Sequence, residues 1–210
     1  NIVSWNTIIC GYSQHGKGEK ALKAFHLMLD EGTVPDEVTF IGVLSACSHM
    51  GLIEEGKKHF DSLSRIYGIT PTIEHHACMV NILCRAGKFH EVERFIEEME
   101  LTQNALIWET VIWASKMHVN VEFGQKAADK LFELEPKMDY NYISLSHIFA
   151  TKGRWDDVAK VRALMSGRGI KKEPGCSWVE VDARAHTFFS QDGSDTKIKQ
   201  ICLQLGKLTR

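Results

Sequence analysis

The stretch Phe40-Ile41-Gly42-Val43-Leu44-Ser45-Ala46-Cys47-Ser48-His49-Met50-Gly51 decides the fold. Counted from the ring at Phe40, Val43, Leu44 and Cys47 complete a 0, 3, 4, 7 spacing, which gathers them on one face of a helix. Eleven residues after the ring stands Gly51, able to take the left-handed conformation that ends a helix. The same arrangement recurs along the chain. Rings at Trp5, Phe40, His76, Trp108 and Tyr142 are 35, 36, 32 and 34 residues apart. Ile8, Val43, Met79, Val111 and Leu145 occupy the third place after each ring, and Tyr12, Cys47, Leu83, Ser115 and Phe149 the seventh. Gly16, Gly51, Gly87 and Gly153 occupy the eleventh, where the fourth unit has Val119.

A second amphipathic stretch follows each turn, as in Ala21, Leu22 and Phe25 or Val92, Phe95 and Ile96. Small residues at Ala21, Gly56 and Gly124 let two helices approach closely, so each unit reads as a helical hairpin. All four prolines (Pro35, Pro71, Pro136, Pro174) fall 28 to 32 residues after a ring and mark junctions between units. A hairpin of this size cannot bury its apolar face alone, so stacked units share a continuous core. The expected fold is all-α, a right-handed superhelical solenoid of five hairpins over residues 3 to 173. After Pro174 the pattern alternates. Cys176 to Val181 and His186 to Phe189 predict a short β-hairpin turning over Asp182 to Ala185, and Asp195 to Arg210 returns to helical spacing for a final helix.

Composition narrows the function. The chain has 210 residues, 44% hydrophobic and 25% charged, with a mean hydropathy of −0.18, the make-up of a folded globular protein. No run approaches the ~18 apolar residues of a membrane span, and the opening Asn1-Ile2-Val3-Ser4-Trp5 has no signal-peptide character. A repeat beginning at the first residues without an initiator Met points to a piece of a longer chain. The formal charge of −2 removes the bulk electrostatic footprint of a nonspecific nucleic-acid binder, so such a role needs geometry instead. Six cysteines form neither a disulfide scaffold nor a CxxC pair and read as reduced thiols.

Unit lengths of 35, 36 and 32, opening with Trp5-Asn6-Thr7-Ile8-Ile9 and closing with Pro35-Asp36, resemble pentatricopeptide repeats of the PLS subclass. Gly42 to His49 with Gly51-Leu52-Ile53-Glu54-Glu55-Gly56 is similar to the last long-type motif. Glu74 to Val80 with Arg85-Ala86-Gly87-Lys88 is similar to the last short-type motif. Trp108 to Pro136 and Tyr142 to Glu173 resemble the two extension (E) motifs, and Pro174-Gly175-Cys176-Ser177-Trp178-Val179-Glu180-Val181 resembles the PG box. The resemblance divides the chain into three repeats (1–104), two extension motifs (105–173) and a PG box opening an E+/DYW-type region (174–210).

This resemblance implies a plant organellar RNA-binding protein, mitochondrial or chloroplastic, that selects cytidines for conversion to uridine. Each repeat then meets roughly one base of single-stranded RNA. The family's code positions fall on Asn6 and Asp36, a pair associated with a pyrimidine, preferably uracil, with Val3 and Val38 clamping the base. The next pairs, Ile41 with Thr72 and Ala77 with Asn104, are weak or degenerate, because Ile41 and Ala77 offer no side-chain hydrogen bond. In the extension motifs Glu109 and Ile143 hold the corresponding place. One readable pair cannot select a transcript, which implies further repeats upstream.

No catalytic residue is expected within the chain. The editing deaminase needs HxE followed by CxxC for its zinc-bound water, and none of the ten histidines has Glu two places later. The resemblance therefore implies a DYW-type deaminase in cis or in trans, with multiple organellar RNA editing factors as further partners. His75, His76, Cys78 and Cys84 lack ligand spacing for zinc, and no cofactor is expected. Trp108, Trp113, Trp155 and Trp178 read as packing residues. Rival readings are an RNA stabilisation or splicing factor, or a tetratricopeptide-like protein-interaction scaffold.

Overall fold

The computed structural model describes residues 1–172, 175–181 and 184–189. Among them are ten helices arranged as five hairpins: α1 (Ile2–Gln14) with α2 (Gly18–Asp30), α3 (Glu37–Met50) with α4 (Ile53–Arg65), α5 (Ile73–Arg85) with α6 (Phe89–Glu98), α7 (Ala105–His118) with α8 (Val121–Leu134), and α9 (Asp139–Thr151) with α10 (Trp155–Gly167). Local chemistry starts them. Asn1, Asp36 and Asn120 each cap a helix with a side-chain oxygen that accepts from the backbone N–H three residues on. Pro35, Pro71 and Pro136 sit between hairpins as expected, whereas Pro174 lies outside the described residues.

The first helices of successive hairpins pack in series, α1 on α3, α3 on α5, α5 on α7 and α7 on α9. Each also packs against its own second helix, which makes residues 1–170 a solenoid built from neighbour contacts. Two apolar clusters fill it, one spanning the first three hairpins and one the last three. The repeating face supplies both: Phe40, Val43, Leu44 and Cys47 are fully buried, as are Val111 and Ile112 in the fourth unit. Small residues behave as their spacing predicts. A Cβ on Gly56 would stand 2.7 Å from Ile82 Cδ1, and one on Gly124 would stand 2.6 Å from Ile148 Cδ1.

The structure departs from the periodicity in instructive places. Ile8, expected on the packed face, is 44% exposed, whereas Val43 and Val111 at the same place in later units are fully buried. Val119 adopts the left-handed conformation (φ 51°) that glycine supplies in the other turns. Of the four tryptophans read as packing residues only Trp108 is buried; Trp113, Trp155 and Trp178 are exposed. Periodicity locates a helix's sides but not which side a neighbour reaches.

The unit that begins at Lys171 holds the expected β-hairpin, β1 (Cys176–Val181) antiparallel to β2 (Arg184–Phe189). Val181 pairs with Arg184, so β2 starts two residues earlier than the sequence pattern indicated. The expected final helix over Asp195 to Arg210 lies outside the described residues.

Candidate nucleic-acid interface

The junction between α1 and α3 brings together Asn6 and Asp36, which are 30 residues apart. Asn6 occupies the place after the ring of α1 and is 8% exposed; Asp36 is the N-cap of α3. The Asn6 Nδ2 donates to both carboxylate oxygens of Asp36, at 2.9 and 3.0 Å. Thr39, one turn into α3, completes the knot. Its hydroxyl lies 2.6 Å from Asn6 Oδ1 and 2.9 Å from Asp36 Oδ1, and its backbone N–H donates to Asp36 Oδ1 at 2.9 Å. The single hydroxyl proton serves one oxygen at a time, and the shorter contact favours Asn6.

Burial pushes the Asp36 carboxyl up. The bonds from the Thr39 backbone, the Asn6 amide and the Thr39 hydroxyl outweigh it, so the group stays below its ordinary value and keeps its charge. Beside this polar knot Val3 and Val38 stand 68% and 47% exposed, at equivalent places in successive first helices. An apolar side chain on either flank of a donor–acceptor pair is an arrangement that suits a planar heterocycle.

The next junctions are built differently. Ile41 is half-buried on α3, and the Thr72 hydroxyl is engaged in its own turn, 2.6 Å from Glu74 Oε2 and 2.9 Å from His75 Nδ1. His75 is fully buried. Its Nδ1 accepts from Thr72 N–H at 3.1 Å and its Nε2 donates to the Glu37 carbonyl at 2.9 Å, which fixes the neutral tautomer and ties α5 to α3. Burial holds this ring below the ordinary histidine value. Ala77 is half-buried on α5 and has no polar side-chain atom, and Asn104 stands at the start of α7 without a side-chain cap bond, so no polar pair forms in the third unit. In the fourth unit burial, aided by nearby Glu135, raises the Glu109 carboxyl.

Sequence reasoning passed over Thr39 and weighed His75 only as a zinc ligand, although each stands three residues after a helix N-cap, the spacing of a capping box. His75, His76, Cys78 and Cys84 do not converge. His76 Nδ1 lies 2.7 Å from the Thr72 carbonyl and its ring packs on Phe60, while Cys84 is buried, its thiol pushed up to about 12. Among the described residues no group of three or more metal-ligating side chains assembles, and no helix is long and apolar enough to cross a membrane.

Hairpins that stack through their first helices, and so present one helix of each pair along a shared face, define an α-solenoid repeat protein. Family profiles refine that class. The PPR repeat family matches residues 1–49, the PPR repeat residues 77–101 and the E motif residues 118–180. A putative pentatricopeptide repeat-containing protein of Arabidopsis thaliana is 48% identical over the whole chain. The chloroplastic pentatricopeptide repeat-containing protein CRR2 of the same plant is 41% identical over 99% of the chain, and a mitochondrial relative is 40% identical over 99%. The chain spans 21%, 32% and 33% of these three relatives respectively. The crystal structure of the pentatricopeptide repeat protein PPR10 in complex with an 18-nt psaJ RNA element matches with a TM-score of 0.71. It is 17% identical over 82% of this chain and 26% of that one. The chain belongs to the pentatricopeptide repeat family and carries its E motif.

Proposed function

We propose that this chain is the RNA-reading end of an organellar editing factor, and that its first helices form the face along which a single RNA strand lies. The Asn6–Asp36 knot flanked by Val3 and Val38 is the observation that carries this reading. Asn6 reads a pyrimidine edge, preferably that of uracil, with one amide donor and one acceptor. Asp36 holds the amide in place and contacts the base directly or through water. Val3 and Val38 sandwich the ring. Ile41 with Thr72 and Ala77 with Asn104 contribute little discrimination, because Ile41 and Ala77 carry no polar side-chain atom and the Thr72 hydroxyl is taken up by Glu74 and His75.

The finer assignments follow from the same reading. Residues 1–104 form three PLS-subclass repeats, 105–173 two extension motifs and 174–210 the PG box with the start of an E+/DYW-type region. The E motif match over residues 118–180 supports C-to-U editing over stabilisation or splicing. In this reading the extension motifs position a cytidine deaminase, in cis or in trans, and the chain itself does no chemistry. Relatives named chloroplastic and mitochondrial support an organellar address without choosing between the two. Binding selection on randomised RNA, with the chain joined to a repeat array of known preference, tests the assignment. Asn6→Thr or Asp36→Asn is expected to move the preference at one RNA position toward purine or cytosine. An unchanged preference there rejects Asn6 and Asp36 as readers.

A further inference from the structure

The first helices carry one feature that the base-reading positions leave unused. Five places after each ring, where a side chain of the first helix lies two turns beyond the residue level with Val3, the chain has Cys10, Ser45, Asn81, Trp113 and His147. Only Trp113 is a large aromatic ring, and it is 38% exposed, off the face that places 3, 4 and 7 bury. It shares a cleft of about 200 Å³ with Arg85 from the end of α5 and with Ala114, Met117 and His118 of α7. Met117 is 64% exposed, and with Leu106 and Trp113 it continues an apolar stripe along the open side of α7.

The lining of this cleft decides its occupant. It contains a guanidinium and an imidazole and no carboxylate, and Arg85 has no ion-pair partner among the described residues. Glu109, one turn before Trp113, does not line it. An aromatic plane half open to solvent beside an unpaired cation suits a nucleobase with its phosphate. Stacking on such a plane tolerates any base, and a guanidinium meets the backbone charge or stacks in turn. The cleft also lies in the same serial stack of first helices as Asn6, with α7 the third such helix after α1. At one base per unit that displacement is about three nucleotides.

We propose that Trp113 and Arg85 form a sequence-tolerant stacking site for one nucleotide of the RNA strand read at Asn6 and Asp36, about three nucleotides from the base that pair selects. The proposal rests on the RNA-reading function above. It assigns the fourth unit a direct RNA contact by stacking where Glu109 removes base reading, so the strand is gripped as it leaves the readable repeats.

Anisotropy titrations of the chain joined to the same repeat array of known preference test it, using single-stranded RNAs that carry the array's site, one uridine for Asn6–Asp36 and one abasic nucleotide moved along the strand. An abasic nucleotide about three places from that uridine is expected to weaken binding about tenfold. Trp113→Ala should weaken binding of the intact RNA by the same factor, and the two changes together should cost no more than either alone. Trp113→Phe should retain most of the affinity. If Trp113→Ala keeps its helical circular dichroism and binds intact RNA as tightly as the parent while Asn6→Ala weakens it, the stacking site is overturned. Base reading then stands, and the cleft falls to an apolar protein segment. If neither substitution alters binding, or the parent binds no RNA, both the stacking site and the RNA-reading function fail.

Discussion

The junction of the first two hairpins and the junction of the last two are built on the same backbone plan, yet they treat buried polarity in opposite ways. At the first, Asn6, Asp36 and Thr39 satisfy one another within a few ångströms. In the last, Asn141 takes the place that Thr39 holds before the ring. It is fully buried, and neither its amide nitrogen nor its oxygen has a partner among the described residues. Ser115 and Ser144 nearby are fully buried with unpartnered hydroxyls as well. Stacking at the last junction therefore does not rest on a bonded polar place. An aromatic ring stands at the anchor place of every unit, whereas the polar place beside it is bonded across the junction at Thr39 and His75 and unpartnered at Asn141.

The largest expected effect concerns the ring itself. Tyr142 is fully buried and stacks on Phe132 with centroids 4.2 Å apart; its hydroxyl donates to the Pro136 carbonyl at 2.7 Å and accepts from Arg168 at 2.6 Å. Tyr142→Ala should lower unfolding free energy by about 3 to 5 kcal/mol in denaturant melts. A loss near zero would deny that rings hold the late junction. Next, Thr39→Val keeps the shape of the first junction but removes the bonds to Asn6 and Asp36, and should cost about 1 to 2 kcal/mol. Val119→Gly should stabilise the fourth hairpin by about 1 kcal/mol, because a β-branched residue is strained at φ 51°.

Acidification should separate two junctions. His75 is held below its ordinary value, so its contribution is complete above about pH 6.5 and is lost as pH falls through the lowered value. Asp36 is also lowered, so its contribution is complete above about pH 3.9 and is lost only on further acidification. Denaturant melts at stepped pH should therefore show a stability loss that begins below about pH 6.5 and is reduced by His75→Gln but not by Asp36→Asn, and the opposite pattern would contradict the assigned bonds. The smallest effect should be Ser144→Ala. Deleting a hydroxyl without a partner is expected to change stability by less than about 0.5 kcal/mol, in contrast to Thr39→Val. Equal costs for the two would erase the distinction between junctions.

The hairpins were legible because a ring, two aliphatic residues and a glycine recur at fixed places, and burial of Phe40, Val43, Leu44 and Cys47 follows from that spacing alone. Asn6 and Asp36 were legible only through the family resemblance, since nothing local in either segment announces a partner 30 residues away. Thr39 was overlooked for a physical reason. Its role couples a short-range cap to a long-range bond, and periodicity reports neither. Trp113 was misread because a tryptophan suggests packing by its size, although the fifth place after the ring lies off the face formed by places 0, 3, 4 and 7.

Methyl and side-chain amide NMR of the chain, recorded as single-stranded uridine-containing RNA is added, tests the central claim most directly. Signals of Val3, Val38 and the Asn6 amide should shift together and saturate with RNA, while those of exposed residues on the second helices, such as Leu27 of α2 and Leu164 of α10, stay in place. Shifts confined to the second helices, or none on the first, would contradict an RNA strand lying along the face that holds Asn6 and Asp36.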